Sequence, residues 1–434
     1  MTLCLRQRLA VLSPLLAAMA VSFHSSNAFS AGYGINENSA SYMGTAYAGR
    51  ASNPQDASIA ANNPAGIAYV EGTQVSVGSA IILEGGEFEG QHTLPTGTVV
   101  AQGKTEDFVS TSGVPFGHFV MPLNDQISFG ISGYAPNGIE LEYDDDWAGR
   151  YFGIKTSFKT VNLQGTVSYK FQEDFSIGFG LIGSYVEGEL TQNTDVTNFL
   201  REGLPAAEAK IEGDDKTLAW TLGALWNVYD RTYVGLAYFS EIDFELEGDV
   251  KLSGPVNRKS DAKLEITMPE RAALSLTHQL NDEWTLMAEA TWTRWSRFEE
   301  FYVRADNSDL SSYVPINWKD AWAWSFGATW QVLPEWKLRA GYMFDESPVD
   351  DDNRTVRTPD SDRNWFTVGA NWRPDTNLSI DISYAYVSLK EGKIDEAKYN
   401  KPPNQGTPID SFGVITGEYD NCSSIVAAQL NYIF

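Results

Sequence analysis

The sequence is poor in the residues that build most catalytic sites and disulfide frameworks. Its 434 residues include only 2 Cys and 4 His. Cys4 lies within a predicted leader, so Cys422 alone remains and disulfides are not expected to stabilise the mature chain. Nucleophilic hydrolases need a base such as His beside the nucleophile, and only His92, His118 and His278 follow the leader. We therefore predict a protein that is not an enzyme and needs no cofactor.

Long apolar runs and an excess of positive charge are also missing. No apolar run after residue 30 approaches the roughly 18 residues that a membrane-spanning helix requires. The chain has 57 Asp and Glu against 31 Lys and Arg, a formal net charge of −26. Nucleic-acid binding needs clustered basic residues. The sequence therefore argues against transmembrane helices and against nucleic-acid partners.

The first thirty residues have the pattern of a secretory signal peptide. Arg6 and Arg8 precede an apolar run, Leu9–Val21, and the small residues Ala28 and Ser30 follow it. This order of a basic, an apolar and a small-residue region predicts cleavage after residue 30 and export of the chain. We expect the mature protein to begin at Ala31.

What the sequence has in abundance is aromatic residues, at 13%, and segments that alternate with period two. Examples are Ser325–Val332, Phe366–Trp372 and Asp381–Leu389. One face of these segments carries Gly, Ser, Thr and Asn, and the other carries large apolar side chains. A polar inner face and an apolar outer face predict an all-β fold, a transmembrane antiparallel β-barrel of the bacterial outer membrane. A secreted β-sandwich or solenoid is the alternative.

The spacing of the turn motifs predicts the number of strands. Short turns alternate with longer, more acidic loops, as expected for an outer-membrane barrel, and their spacing predicts about fourteen strands within residues 73–434. The short turns are Leu123–Gln126, Gln172–Phe175, Tyr229–Thr232, Leu280–Trp284, Leu333–Trp336 and Arg373–Asn377. The last strand has alternate apolar residues and ends at Phe434. We expect the outer-membrane assembly machinery to recognise this strand.

Residues 31–72 do not alternate, and we predict that they form a hatch, a plug inside the barrel. About fourteen strands enclose a lumen too wide for wall side chains to fill. The segment is rich in small residues that allow close packing, and Pro64 fixes a turn. The alternatives are a flexible periplasmic tail and an open, non-specific porin. The predicted hatch residues are Tyr33, Asn36, Glu37, Asn63, Pro64 and Ala65.

The mature sequence resembles the FadL family of outer-membrane long-chain fatty acid transporters, which includes aromatic-hydrocarbon uptake channels. The resemblance rests on Ala31–Gly49, on Asp56–Ile67 with its Asn-Pro-Ala motif, and on blocks at Trp318–Trp330, Phe344–Val349 and Thr358–Trp372. It implies a 14-stranded barrel, an N-terminal hatch, and lateral release of the ligand through a gap at an inward kink of the third strand.

A candidate for that kink lies in the predicted third strand, Gln126–Tyr143. Pro136 cannot donate a ladder hydrogen bond and Gly138 permits a bend, so the strand is interrupted there. We predict a lateral opening at Ala135, Pro136, Asn137 and Gly138. The alternative is that these residues only mark the outer end of the strand.

The family resemblance also implies a ligand groove between two long outer loops. Its candidate apolar residues are Trp147, Tyr151, Phe152, Phe199 and Leu200. The acidic runs Asp144–Asp146 and Asp350–Asp352 are interpreted as solvated charge that divalent cations bridge to lipopolysaccharide, not as a metal site. The resemblance favours a monomer.

The sequence differs from the fatty-acid transporters of the family at the positions that bind the ligand's carboxylate. By rough alignment, the basic positions of those members fall near Gln192 and Val314. Arg201 and Lys319 are the nearest basic candidates, and an unpaired buried carboxylate would be costly. The sequence thus predicts uptake of long-chain fatty acids or similar hydrophobic compounds. An aromatic-hydrocarbon channel and a non-specific porin stay open as alternatives.

Overall fold

The computed structural model describes residues 32–194, 206–409 and 412–434. The predicted signal peptide, 1–30, lies outside these residues. The described chain forms a closed antiparallel barrel of 14 strands, as the sequence predicts. In chain order they are β1 Gln74–Thr93; β2 Val99–Glu106 and Ser112–Pro122; β3 Ile127–Tyr134 and Gly138–Glu142; β4 Lys155–Gln172; β5 Phe175–Thr194; β6 Ala207–Tyr229; β7 Thr232–Phe239 and Ile242–Ser253; β8 Arg258–Met268 and Arg271–Gln279; β9 Trp284–Thr293 and Glu300–Ala305; β10 Ser312–Pro315 and Ala321–Leu333; β11 Trp336–Asp345; β12 Arg363–Trp372; β13 Leu378–Leu389 and Gly392–Ala397; β14 Val414–Ile433.

Pairing between the first and last strands closes the barrel. β1 and β14 are antiparallel from Gln74 opposite Ile433 to Thr93 opposite Val414. Every predicted short turn joins two neighbouring strands at one end of the barrel, and the longer loops lie at the other end. Pairing of the first strand with the last removes the two free edges of an open sheet, which is the condition for a sheet to span a membrane. Among the described helices, none is long and apolar enough to cross a membrane.

The period-two pattern places the two faces as predicted. On β4, Val161, Leu163 and Val167 face outward, and the exposed fraction of Leu163 reaches 64%. The residues between them are polar and point into the lumen, where Gln164 and Thr166 are buried. Indole rings stack between neighbouring strands near the short turns, for example Trp284 on Trp330 at 5.5 Å. Aromatic rings at this level are typical of the interfacial girdle of an outer-membrane barrel.

Residues 32–72, here called the N-terminal segment, lie inside the barrel. They form a short α-helix, Ala40–Met43, and 3₁₀ turns at Ala57–Ala61 and Pro64–Tyr69. Side chains from many strands hydrogen-bond to them: Gln164 to Ala60 O, Ser176 to Ala65 O, Thr367 to Gly44 O, Ser383 to Ala40 O, and Gln429 to Ala40 N. The segment therefore contacts the inner wall on several sides.

Glycines of the wall let the N-terminal segment approach closely. A Cβ atom added to Gly223 would lie 2.0 Å from the side-chain oxygen of Asn63, and one added to Gly235 would lie 1.9 Å from the carbonyl oxygen of Ala51. On β11, a Cβ at Gly341 would lie 2.2 Å from the carbonyl carbon of Thr45. A side chain at these positions would occupy space that the segment fills, so these glycines form its seat.

Candidate transport pathway

A cavity of about 330 Å³ opens between the outer loops. Apolar side chains from β5, β7 and β9 line it, including Leu190, Val250 and Val303. Gln192 and Val314, the positions where the family resemblance implies basic residues, both line this cavity. Neither supplies a positive charge. Three other residues do: Arg357, Lys398 and Lys401, the last of which donates a hydrogen bond to the carbonyl oxygen of Ser308. The carboxylates of Asp309 and Glu396 line the cavity as well.

Arg357 comes from the loop between β11 and β12. Its guanidinium donates hydrogen bonds to the carbonyl oxygen of Lys155 at 2.9 Å and to the side-chain oxygen of Gln192 at 2.9 Å. These fixed partners hold the guanidinium at the cavity wall. Burial lowers the pKa of Arg357 to about 10, so the group still carries its charge at neutral pH.

Lys398 comes from the loop that follows β13. Its ammonium lies 5.5 Å from the ring centre of Phe152 and 5.6 Å from that of Phe412, so two aromatic faces flank it. Burial, and next the nearby charge of Arg357, lower the pKa of Lys398 below the ordinary value for lysine, while Glu396 opposes the shift. A cation held between aromatic rings in a partly apolar site suits an anionic headgroup joined to an apolar chain.

The structure separates the predicted groove residues. Phe152 lines the outer cavity. Trp147 is buried in a neighbouring aromatic cluster, stacked 3.9 Å from the ring of Tyr143, and Tyr151 is buried as well. Phe199 and Leu200 lie outside the described residues. Only Phe152 among the described candidates therefore faces the outer cavity directly.

The predicted carboxylate partners are Arg201 and Lys319, and neither is among the cations described above at the cavity wall. Arg201 lies outside the described residues. Lys319 is exposed, and its backbone amide donates to the carbonyl oxygen of Pro348 at 3.1 Å. The sequence analysis did not identify Arg357 and Lys398. Both lie on loops more than 150 positions from Gln192 in the sequence, and no local motif indicates that these loops fold beside it.

Below the outer cavity the pathway becomes narrow and apolar. A cavity of about 40 Å³ shares Tyr33, Leu190 and Val303 with the outer one and is also lined by Leu264, Ile266 and Met268. Tyr33, from the N-terminal segment, packs against Phe158 at 5.4 Å and Trp318 at 5.4 Å between ring centres. An apolar chain can lie here, whereas a charged group would lose its hydration without gaining a partner.

The predicted kink exists, and the N-terminal segment pairs with it. The ladder between β2 and β3 runs only to Gly117 opposite Gly133, and a single bridge joins Val109 to Leu141 farther out. Between them, Ile35 N donates to Pro136 O at 2.8 Å and Gly138 N donates to Tyr33 O at 2.8 Å. On the other side, Asn137 N donates to the Thr160 hydroxyl at 2.9 Å. The third strand thus turns from β2 toward the lumen at Pro136.

A third cavity, of about 110 Å³, lies against the kink. It meets the apolar cavity at Met268 and is lined by Pro136, Asn137, Arg50 and Arg271. Apolar side chains such as Ile35, Ile182 and Ile242 and the carboxylate of Asp345 also line it. Three cavities that share lining residues therefore follow one another from the outer loops to the interrupted stretch of β3.

The remaining predicted hatch residues have structural partners or a buried position inside the barrel. Asn63 accepts a hydrogen bond from Ala65 N at 3.0 Å and donates to Ala51 O at 2.6 Å, and Pro64 begins the 3₁₀ turn that Asn63 caps. Asn36 accepts from Arg50 at 2.8 Å. Glu37 is 1% exposed, and within the described chain its carboxylate oxygens have no hydrogen-bond partner. The Asn-Pro-Ala motif thus fixes the turn that packs on Gly223.

Comparisons with known proteins agree with this architecture. Residues 21–434 match the family described as outer membrane protein transport protein (OMPP1/FadL/TodX). The chain is 27% identical over 414 residues to a long-chain fatty acid transport protein of Escherichia coli, covering 88% of this chain and 92% of that protein. Among solved structures, a Pseudomonas aeruginosa FadL homologue matches with a TM-score of 0.84 and 25% identity, over 93% of this chain and 100% of that one.

A more distant solved structure shares the fold. The toluene transporter TbuX of Ralstonia pickettii matches with a TM-score of 0.65 at 16% identity, over 90% of this chain and 97% of that chain. The family match extends over nearly the whole described barrel and the N-terminal segment. This chain therefore belongs to the OMPP1/FadL/TodX family of outer-membrane transport proteins.

Proposed function

We propose that this protein takes up long-chain fatty acids across the outer membrane. The observation that carries the proposal is the pair of cations, Arg357 and Lys398, at the wall of a cavity that also presents apolar side chains and two carboxylates, Asp309 and Glu396. The carboxylate binds between them, and the acyl chain extends into the apolar cavity lined by Leu264 and Ile266. The relatives named long-chain fatty acid transport proteins support this substrate class.

The exit that the geometry favours is lateral. At Pro136 the N-terminal segment replaces β2 as the partner of β3, and the innermost cavity lies directly against this stretch. An acyl chain that left through the gap would stay in apolar surroundings. The N-terminal segment acts as a hatch in this scheme, because it fills the lumen toward the end where the short turns lie.

Binding measurements with a matched pair of ligands test the headgroup site. Removing both cations in an Arg357→Met/Lys398→Met variant should weaken binding of a long-chain carboxylate by about a hundredfold or more, since each hydrogen bond to a charged group contributes roughly 1.5–3 kcal/mol. Binding of the alcohol of the same chain length should change little. Titration of purified protein in detergent with both probes gives the comparison.

A matched variant and a second ligand class decide the alternatives. Arg304→Met removes an exposed arginine that pairs with Glu265 outside the lumen, and it should leave both affinities unchanged. Equal loss of acid and alcohol binding in the double variant would contradict the headgroup site. If toluene bound as tightly as the fatty acid and the cations made no difference, the aromatic-hydrocarbon alternative would replace the proposal.

The affinity of the outer cavity for carboxylates should also depend on pH. Because the pKa of Lys398 is lowered by burial, this ammonium loses its proton at lower pH than an ordinary lysine. Fatty-acid affinity should therefore fall as pH rises from neutral toward 9, while the ligand stays ionised and Arg357 stays charged. Lys398→Arg should reduce this dependence, because arginine keeps its proton throughout while the neighbouring carboxyl of Glu396 still ionises. A wild-type affinity that is constant over this range would contradict the assignment.

A further inference from the structure

Arg271 is a lumenal cation that the outer binding site does not use. It begins the inner segment of β8, Arg271–Gln279, directly after the interruption at Pro269 and Glu270. Ala273 and Ser275, which follow it with period two, are buried on the lumenal face, so the side chain of Arg271 shares that face. It lines the cavity beside the kink together with Pro136 and Asn137.

The carboxylates near Arg271 are already paired with other arginines. Glu270 binds Arg294 at 2.9 Å and Arg297 at 3.3 Å. Glu289 binds Arg50 at 2.6 Å. Within residues 32–194, 206–409 and 412–434, Arg271 forms no salt bridge, and its guanidinium carbon lies 4.4 Å from the ring centre of Phe239. Asp345, which also lines the cavity, binds Arg363 at 3.4 Å, so no described carboxylate forms a salt bridge with Arg271.

The same cavity has further unused hydrogen-bonding capacity. Asn162 lines it, is 2% exposed, and its side-chain oxygen has no hydrogen-bond partner among the described residues. An uncompensated buried cation is costly, and its usual compensation is an anion. Between this cavity and the outer one lies the apolar stretch lined by Leu264 and Ile266, whose neighbouring cation Lys263 is already paired with Glu245 and Glu247.

We infer that Arg271 forms a second carboxylate-binding site at the inner end of the pathway, beside the gap in the wall. This inference rests on the proposed uptake of fatty acids. A headgroup that leaves Arg357 and Lys398 crosses the apolar stretch and is received by the guanidinium of Arg271. The acyl chain attached to it then begins next to Pro136 and Asn137, where the wall is interrupted. Neutral ligands gain nothing at this step, so Arg271 favours acids over alcohols of equal length.

The test combines uptake with binding in variants that keep the side-chain length. Arg271→Met in proteoliposomes should slow uptake of a long-chain carboxylate by about tenfold or more, corresponding to one charged hydrogen-bond interaction. Uptake of the matched alcohol should stay near the wild-type rate, and Arg271→Lys should retain most carboxylate uptake. Arg304→Met serves as the control for loss of an arginine outside the lumen.

Binding measurements on combined variants show at which of the two sites the Arg271 substitution acts. In the Arg357→Met/Lys398→Met background, the remaining preference for acid over alcohol should disappear when Arg271→Met is added. If the wild type takes up the acid and Arg271→Met does so equally well, the second site is wrong while the proposed function stands. If Arg271→Met slows acid and alcohol equally, its role is structural and the inference is also wrong. If the wild type takes up no carboxylate, both the inference and the proposed function fail.

Discussion

Replacing Ala135–Gly138 with a Thr-Val-Thr-Val sequence is expected to reduce uptake of long-chain fatty acids by about tenfold or more while leaving binding in the outer cavity unchanged. Each buried CH₂ group contributes about 0.8 kcal/mol, so ten of them entering water would cost about 8 kcal/mol. A route through the gap at Pro136 avoids that transfer. A route past the N-terminal segment into the periplasm does not.

The pairing register between β2 and β3 is compatible with replacing the interruption at Ala135–Gly138 by a regular strand. The bridge between Val109 and Leu141 continues the ladder that ends at Gly117 and Gly133, in the same register, eight positions farther along each strand. A regular strand between these points can therefore keep its register with β2, while its pairing with β4 must absorb a shift of one residue, because Tyr134 lies opposite Asn162 and Gly138 lies opposite Lys159. The new residues restore the donor that Pro136 lacks and favour extended backbone.

Uptake into proteoliposomes, with ligand binding measured on the same preparations, checks the sealed variant. Gly133→Val is a suitable control, because it adds a β-branched residue to the regular part of β3 where a Cβ would meet no atom within 4 Å. The control should transport normally. Wild-type uptake by a sealed and folded barrel would rule out lateral release and favour passage past the N-terminal segment.

The wall of the barrel could be predicted because it depends on local patterns. The alternation in β4 between Val161, Asn162 and Leu163 reports two different environments, and each short turn lies where its polar residues indicate. Pro136 also acts locally, by removing one backbone donor from the strand. These features need no knowledge of distant residues, so the sequence alone identifies them.

The binding residues could not be predicted in the same way. Arg357 reaches Gln192 only because the loop after β11 folds across the mouth of the barrel, and Arg271 is recognisable as unpaired only after the partners of Glu270 and Glu289 are known. Trp147 illustrates the opposite error. It has the composition expected of a ligand groove, yet it stacks on Tyr143 within a buried cluster.

The second large expected effect concerns the wall glycines against which the N-terminal segment packs. Gly223→Val should displace the Asn63–Ala65 turn and convert a closed barrel into a conducting one. The added Cβ would lie 2.0 Å from the side-chain oxygen of Asn63, 2.9 Å from Pro64 Cδ and 3.0 Å from Ala65 N. The wall cannot retreat easily, because Gly223 is held in ladders with Gly178 on β5 and Ala237 on β7. The turn, which is not part of the strand ladders, is the part expected to move.

Planar-bilayer conductance measures the displacement directly. A lumen enclosed by fourteen strands is wide enough for an aqueous channel once its filling moves, so we expect conductance to rise about tenfold or more. Gly165→Val, on β4, adds the same side chain where no atom lies within 4 Å, and it should leave conductance unchanged. Both variants should keep heat-modifiable mobility on gels, because the strand ladders remain. Unchanged conductance in a folded Gly223→Val barrel would show that the lumen is closed by contacts other than this seat, and the hatch role of Asn63, Pro64 and Ala65 would be wrong.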